Sequence, residues 1–306
     1  EKRDVETYEE ENQKGVRNGE MKRFVVYSAI IGQYDKPLQP LAIDERFDYV
    51  LFSDFLPEGK EGAWQVKRID YSNPVQSKIA RYVKTHPESL LPEYEASLWM
   101  DANIRIASNF VYDRFIELFE TDAMIAGVKH LAYDCVYEEM FSVLDFLYER
   151  EGVVLDWGHF LRDRKFPKHA GMFETGLLFR KHSKEEVVAF DSIWWNYIEK
   201  YSKRDQLSFT VALKDANLQC DYYIPDGYTV RNHEGFVFVK HMNEKSKFGK
   251  TDETAWLMHH YYKHHEDREK VAKLYYWIYG RRHPSFWAKV LGQYYRIVDR
   301  LDLKKG

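Results

Sequence analysis

Asp101 and Asn103 stand directly after Ser97–Met100, a short apolar run typical of a buried strand. Only Ala102 separates the two residues, so in an extended turn both side chains can point the same way. Carboxylate and amide oxygens are hard ligands, and Mg²⁺ or Mn²⁺ binds a few of them while water and phosphate oxygens complete its shell. The alternative is a turn in which both side chains bond the local backbone.

His241 is the candidate third metal ligand. It follows the alternating Phe and Val residues of "EGFVFVKH", a pattern typical of a strand. A histidine can complete a metal site, and Lys245 just beyond it can neutralise phosphate charge. The end of a surface strand is the alternative, and His233 on the other side of that strand is a rival ligand.

Other predicted strands also run into polar residues, at Gly32–Asp35, Ser53–Asp54 and Lys129–His130. In open α/β sheets, ligands bind beyond the carboxyl ends of the strands. We therefore expect a common crevice at this edge of the sheet, with Gly32 and Asp54 among the residues that line it.

Strands and helices alternate along most of the chain. Apolar β-rich runs predict strands at 24–31, 47–54, 64–70, 97–100, 122–130 and 173–182. Helical spacing predicts helices at 73–91, 108–120, 136–150 and 183–202, with Ser108 as a possible N-cap of the second. The pattern predicts an α/β fold with a mainly parallel sheet flanked by helices.

Composition excludes several classes of protein. The 306 residues are 44% hydrophobic, which is enough for a packed core, and the net charge of −4 gives no sign of a nucleic-acid binder. The chain has only two cysteines, which are too few for a disulfide framework or for a zinc site built from cysteines. We predict a charged arm at 1–21, an α/β domain at 22–250 and a helical C-terminal extension at 251–306.

The C-terminal extension alternates aromatic and cationic residues, so we expect it to pack on the domain or to make peripheral membrane contact. Its "MHHYYKHH" stretch could bind zinc or lie on a solvated helix. No run is apolar enough to span a bilayer. We expect a cytoplasmic protein or one at the cytoplasmic face of a membrane, or a Golgi-lumen protein if an N-terminal anchor has been removed.

Four stretches carry a resemblance to a known family: "VVYSAIIGQYD", "SKIARYVKTHPESLLPEYEASLWMDANI", "HLAYDCVYEEM" and "KRDQLSF". They resemble the plant turgor-regulation and mucilage glycosyltransferase-like proteins over about residues 24–215. That family is similar to the GT-A glycosyltransferases, which have a Rossmann-type sheet and use a nucleotide-sugar donor. The resemblance implies a GT-A-like fold and a metal-dependent hexosyltransferase with Mn²⁺ or Mg²⁺ as cofactor.

The resemblance also implies roles for individual residues. Asp101 becomes the first carboxylate of a DxD-like motif, in which Asn103 replaces the second Asp. Lys78 and Arg81 would face the nucleotide phosphates, and Asp54 would lie near the base or ribose. The resemblance places the remaining residues at the sugar: Glu174, Thr175, Asp205 and Gln206.

Glu174 or Asp205 is the candidate general base if the reaction inverts the anomeric centre. The implied donor is a UDP-sugar, and the implied acceptor is a glycan or a lipid-linked glycan. Two alternatives remain open at this stage: a glycoside hydrolase, whose paired carboxylates would come from Glu138, Glu139 and Asp205, and a carbohydrate-binding module on a degenerate GT-A fold. The oligomeric state is not predicted.

Overall fold

A computed structural model of the chain describes residues 23–145, 148–182 and 184–241. The predicted arm at 1–21, the predicted extension at 251–306, its histidine cluster and Lys245 lie outside these residues. Within the described part of the chain, no helix is long and apolar enough to cross a membrane.

Eight strands of the described residues form one sheet, in the order β3-β4-β2-β1-β5-β8-β7-β9, and β10 pairs with β6 in a separate ribbon. The strands are β1 (Phe24–Ile30), β2 (Phe47–Ser53), β3 (Gly59–Glu61), β4 (Trp64–Lys67), β5 (Ala96–Met100), β6 (Ile104–Ile106), β7 (Ile125–Lys129), β8 (Phe173–Lys181), β9 (Asp221–Tyr222) and β10 (Phe236–Phe238).

The centre of the sheet is parallel. Strand β1 lies between β2 and β5 and pairs with both in parallel, and every one of its residues is buried. A continuous apolar strand is what a parallel sheet covered on both faces requires. The predicted α/β fold with a mainly parallel sheet is therefore confirmed. Two strands run antiparallel to their neighbours: β8 between β5 and β7, and β3 beside β4.

Helices cover both faces of the sheet. They are α1 (Gln76–Thr85), α2 (Pro87–Leu90), α3 (Phe110–Glu120), α4 (Val136–Asp145), α5 (Glu151–Asp163), α6 (Glu185–Lys200) and α7 (Gln206–Asp215). Apolar residues of α3 pack on one face of the sheet, and those of α1, α6 and α7 pack on the other. Helices α4 and α5 share a third apolar cluster with α7.

The structure corrects three local predictions. Ser108 is not the N-cap of α3, because the helix starts at Phe110 after Asn109, whose side chain makes no capping hydrogen bond. The helix predicted at 136–150 ends at Asp145, and α5 follows it as a second, unpredicted helix. The strand predicted before His241 ends at Phe238.

Candidate functional site

The polar ends of the strands meet at one edge of the sheet. Strands β1, β2 and β5 are parallel, and β7 has the same direction as β5 because both run antiparallel to β8. The residues that follow these four strands therefore lie at a common edge. Strand β8 enters the sheet at this edge, which adds Glu174, Thr175 and Gly176 to it.

Asp205 is the centre of the site. Its carboxylate accepts hydrogen bonds from Arg81 Nε at 3.0 Å, from Lys84 Nζ at 2.6 Å and from Thr175 Oγ1 at 2.9 Å. Although Asp205 directly precedes α7, its side chain makes no capping hydrogen bond to the helix. Capping is therefore not what this carboxylate does, and its partners are two cations and a hydroxyl from α1 and β8.

The two cations control the ionisation of Asp205. The side chain is only 4% exposed. Burial by itself would raise the pKa of the Asp205 carboxyl, but the charges of Arg81 and Lys84 outweigh this effect and hold the pKa well below its usual range. Asp205 is therefore an anion at neutral pH.

Lys84 joins Asp205 to Asp101. Its Nζ atom is fully buried and lies 3.1 Å from Asp101 Oδ1, as well as 2.6 Å from Asp205 Oδ2. It also lies 5.1 Å from the centre of the Trp99 ring, and the indole N–H of Trp99 donates to Asp101 Oδ1 at 2.9 Å. One oxygen of Asp101 is thus held by two donors from the interior.

The other oxygen of Asp101 is available. Asp101 Oδ2 makes no hydrogen bond with the described residues, and the side chain is 33% exposed. Gly176 lies beside it, since a Cβ atom on this glycine would be 3.4 Å from Oδ2. The backbone approaches closely here as well, because the Asp101 N–H donates to the Gly176 carbonyl at 2.8 Å. Asp101 can therefore present one fixed carboxylate oxygen to a ligand.

Arg81 also retains free binding capacity. Only its Nε atom bonds Asp205, and its two terminal nitrogens make no hydrogen bond with the described residues. The guanidinium is 20% exposed. A phosphate can accept bidentate hydrogen bonds from such a group, whose own orientation is fixed by the carboxylate behind it.

Lys78 is not brought into this cluster, contrary to the prediction that it faces the phosphates beside Arg81. Its Nζ atom donates to the Glu199 carbonyl at 2.6 Å. This carbonyl belongs to the last turn of α6, where the helix dipole favours a cation.

Gly32 and Asp54 meet at the ends of β1 and β2. The Gly32 N–H donates to Asp54 Oδ1 at 2.9 Å. Gly32 has a φ of 65°, in the left-handed region, and a Cβ atom on it would lie 2.5 Å from the side chain of Gln76. The two predicted site residues are thus in contact with each other beside the start of α1.

Gly32→Ala should lower the free energy of unfolding by about 1 to 2 kcal/mol, because an L-residue with a side chain is strained in the left-handed region. Urea denaturation measures the change. Gly152→Ala is the matched control, since nothing lies within 4 Å of its added Cβ atom. A Gly32→Ala protein as stable as the control would contradict the strain at this turn.

The other two predicted metal ligands, Asn103 and His241, also lie near this edge. Asn103 is 5% exposed, and its backbone carbonyl accepts the Val239 N–H at 2.9 Å. This bond holds the segment that leads to His241 beside the end of β5. His241 Nδ1 lies 2.6 Å from Asp35 Oδ2. Among the described residues, no group of three His, Cys, Asp or Glu side chains is placed to hold a metal ion.

A second set of polar side chains lies next to Asp205. Glu174 forms an ion pair with Arg231 at 2.8 Å, and Gln206 Nε2 donates to Glu139 Oε1 at 3.0 Å. Burial raises the pKa of Glu174, against the opposing effect of Arg231. Burial likewise raises the pKa of Glu139 to about 7, against the opposing effects of Arg204 and Gln206.

Three features of the site were not predicted: Lys84, Trp99 and the pairing of Glu139 with Gln206. The sequence does contain a signal for Lys84. Lys78 and Arg81 are three positions apart on α1, and Lys84 is the basic residue three positions further on. Trp99 and Glu139 have no such signal, since both occupy apolar faces of their elements and only the contacts of the folded chain reveal their polar partners.

The sequence of this chain matches the model of one protein family. A model described as "TOD1/MUCI70, glycosyltransferase-like domain" matches residues 6–225 of the 306. The comparison with curated proteins found no match.

Two solved glycosyltransferase structures are similar to part of the chain. The apo structure of the bifunctional glycosyltransferase WbbM is 7% identical, with a TM-score of 0.41 over 67% of this chain and 39% of its own length. An active-site mutant of LgtC is 11% identical, with a TM-score of 0.38 over 61% of this chain and 69% of its own length. The chain thus spans about two fifths of WbbM.

Proposed function

The chain belongs to the TOD1/MUCI70 glycosyltransferase-like family, and we propose that it transfers a hexose-type sugar from a nucleotide-diphosphate donor to a glycan or lipid-linked glycan. The donor would bind at the sheet edge formed by the ends of β1, β2 and β5 and the start of β8. We propose a UDP-sugar as the donor and Mn²⁺ or Mg²⁺ as the metal.

The available groups on Arg81 and Asp101 support this proposal. Arg81 offers its terminal nitrogens, and Asp101 offers one fixed carboxylate oxygen. The buried Lys84 forms ion pairs with both Asp101 and Asp205. The four side chains together carry two positive and two negative charges. A diphosphate would therefore need an added cation to balance its charge, and Asp101 Oδ2 is the ligand atom that could hold one.

The residues fit a divalent ion that binds together with its nucleotide rather than before it. Asp101 and Asn103 supply oxygen donors, and the described residues offer no set of three stronger ligands. Such a site suits Mg²⁺ or Mn²⁺, because these ions can bind one or two protein ligands and complete their coordination shell with phosphate oxygens and water. When bound, the ion would neutralise the negative charge that develops on the leaving diphosphate.

The chain's own residues would share the remaining work. Arg81 would bind the diphosphate and stabilise its charge as it leaves. Asp205 is suited to hold Arg81 and Lys84 in place rather than to accept a proton, because its pKa is lowered and its oxygens already have three donors. Glu174 is the better candidate general base, since its pKa is raised towards neutrality.

Calorimetric titration with UDP, GDP, ADP and CMP, each with and without Mn²⁺, tests this function. We expect one nucleotide, UDP in our proposal, to bind only when Mn²⁺ is present. Asp101→Asn should weaken that binding by roughly 100-fold, equivalent to about 2.7 kcal/mol, because it removes the charged oxygen donor. Mn²⁺ alone should bind weakly to the wild-type protein.

Asp113→Asn is the matched control, because this aspartate is 73% exposed and lies on α3, away from the described site. Its nucleotide binding should equal that of the wild type. A wild-type protein that binds no nucleotide under any metal condition would refute the proposed function. Metal-dependent binding without release of UDP from any UDP-sugar, with or without glycan acceptors, would favour the carbohydrate-binding module over the transferase.

A further inference from the structure

Glu139 lies deep in the set of polar side chains next to Asp205, and the proposed transferase gives it no role. It belongs to the first turn of α4 and is 4% exposed. Its Oε1 atom accepts a hydrogen bond from Gln206 Nε2 at 3.0 Å. Gln206 is the first residue of α7 and directly follows Asp205, whose carboxylate organises the two cations of the site.

The contact determines which way the Gln206 side chain faces. An ionised carboxylate can only accept hydrogen bonds, so it must face the NH₂ group of the carboxamide. The carbonyl oxygen of Gln206 is thereby turned away from Glu139, and no hydrogen bond from the described residues reaches it. We propose that Glu139 is a positioning residue, which fixes the Gln206 carboxamide so that its oxygen, and not its NH₂ group, is offered to the bound sugar.

His130 supports the ionised form of Glu139 from the other side. Its Nδ1 atom accepts the Tyr133 N–H at 2.9 Å, so in the neutral ring the proton sits on Nε2. This Nε2 atom lies 4.0 Å from Glu139 Oε2. The carboxylate thus has Gln206 on one oxygen and the N–H edge of an imidazole near the other.

The charge of Glu139 depends on groups from four parts of the fold. Arg204, in the loop before α7, and the hydrogen bond from Gln206 favour the carboxylate, whereas burial and the like charge of Glu174 on β8 oppose it. His130, at the end of β7, has its pKa lowered by burial and by Arg231, so it titrates below its usual range. The pKa of Glu139 is raised to about 7, within the range where most enzymes are assayed.

Protonation of Glu139 would remove the constraint on the Gln206 carboxamide. A protonated carboxyl group is a donor, and the Gln206 carboxamide could then turn over to present its oxygen to Glu139 and its NH₂ group to the sugar. The orientation that offers the oxygen to the sugar should therefore be enforced above about pH 7 and no longer enforced below it, because only the ionised carboxylate excludes the reversed orientation.

Nuclear magnetic resonance of the Gln206 side chain tests the inference without any substrate. In ¹⁵N-labelled protein, the NH₂ resonances of Gln206 are assigned by their loss in Gln206→Leu and followed from pH 5.5 to 8.5. We expect a shift with a midpoint near pH 7 in the wild type. It should be absent in Glu139→Gln, which cannot ionise, and retained in Glu138→Gln, which removes the neighbouring carboxyl group. Resonances that do not titrate, or that titrate equally in Glu139→Gln, would overturn the inference.

Kinetics provide the second measurement, and its meaning rests on the proposed function. For release of UDP from a UDP-sugar, Glu139→Ala should lower kcat at least tenfold and leave the affinity for UDP with Mn²⁺ unchanged, and the rise of kcat through pH 7 should disappear in Glu139→Gln. An unchanged kcat in Glu139→Ala would refute the role at the sugar. If the wild type binds no nucleotide while the Gln206 resonances still titrate, the proposed function fails and the coupling of Glu139 to Gln206 stands.

Discussion

Asp205→Asn should lower the free energy of unfolding by about 3 to 5 kcal/mol and abolish sugar transfer, the largest effect that we expect from any single change at the site. Asparagine has the shape of aspartate but no charge, so Arg81 and Lys84 would be left buried without their shared counter-ion. Lys84 is fully buried and cannot recover this loss by reaching water. Urea denaturation measures the stability, and UDP release from a UDP-sugar measures the activity.

Asp163→Asn is the matched control, because Asp163 also has an arginine partner but is 67% exposed. Exposed pairs contribute little, so this variant should stay within about 0.5 kcal/mol of the wild type. A loss of the same small size in Asp205→Asn would contradict the assignment of Asp205 as the counter-ion of the site.

The pH dependence of stability gives Asp205→Asn a second signature. The pKa of Asp205 is lowered in the folded protein, so its contribution is complete above the unfolded-state value of about 4 and is lost as the pH falls through the folded-state value. Asp205→Asn should therefore be destabilised most at neutral pH, and its deficit should shrink in acid. A deficit that is constant from pH 7 to pH 3 would indicate a packing defect instead.

Arg180→Met should cost about 3 to 5 kcal/mol of stability, although it lies outside the polar cluster. Arg180 on β8 is fully buried, and its guanidinium donates to Asp191 of α6 at 2.6 Å, to the Tyr27 hydroxyl and to the Lys84 carbonyl at 2.5 Å. It thereby ties the end of α1 to the sheet. Methionine would fill the space but leave the buried Asp191 carboxyl without its counter-ion. Burial already raises the pKa of this carboxyl to about 7, so it would have to take up a proton in the interior. Urea denaturation should detect the loss of stability.

The double variant Arg180→Met with Asp191→Leu separates the charge from the packing. It removes both charges, and the Lys84 carbonyl keeps the hydrogen bond that it accepts from the Tyr27 hydroxyl at 3.0 Å. Replacing a buried pair by apolar side chains is often neutral, so the double variant should recover most of the stability lost in Arg180→Met. Arg162→Met, at an exposed pair, should have no measurable effect. A double variant no more stable than Arg180→Met would show that the uncompensated charge is not the cause.

The alternation of strands and helices was readable from the sequence because it depends on local patterns. Strand β1 is one continuous apolar run, and α6 carries a single apolar stripe, so each predicts its own burial whatever surrounds it. The boundary between α4 and α5 was not readable, because both segments have helical spacing and the break lies between two helical patterns. The antiparallel direction of β8 was not readable either, since hydrophobic pattern gives no strand direction.

For the site, the sequence by itself determined which residue types end the strands, and so it found Asp101 and, through the family resemblance, Arg81 and Asp205. Only the tertiary structure decided which of them touch, because Arg81 and Asp205 are separated by 124 positions of the chain. Their contact depends on the order of the strands and on the packing of α1 against α6 and α7. The partners of Lys84 and Glu139 became visible only there, because burial places a charge among apolar neighbours and makes its few polar partners decisive.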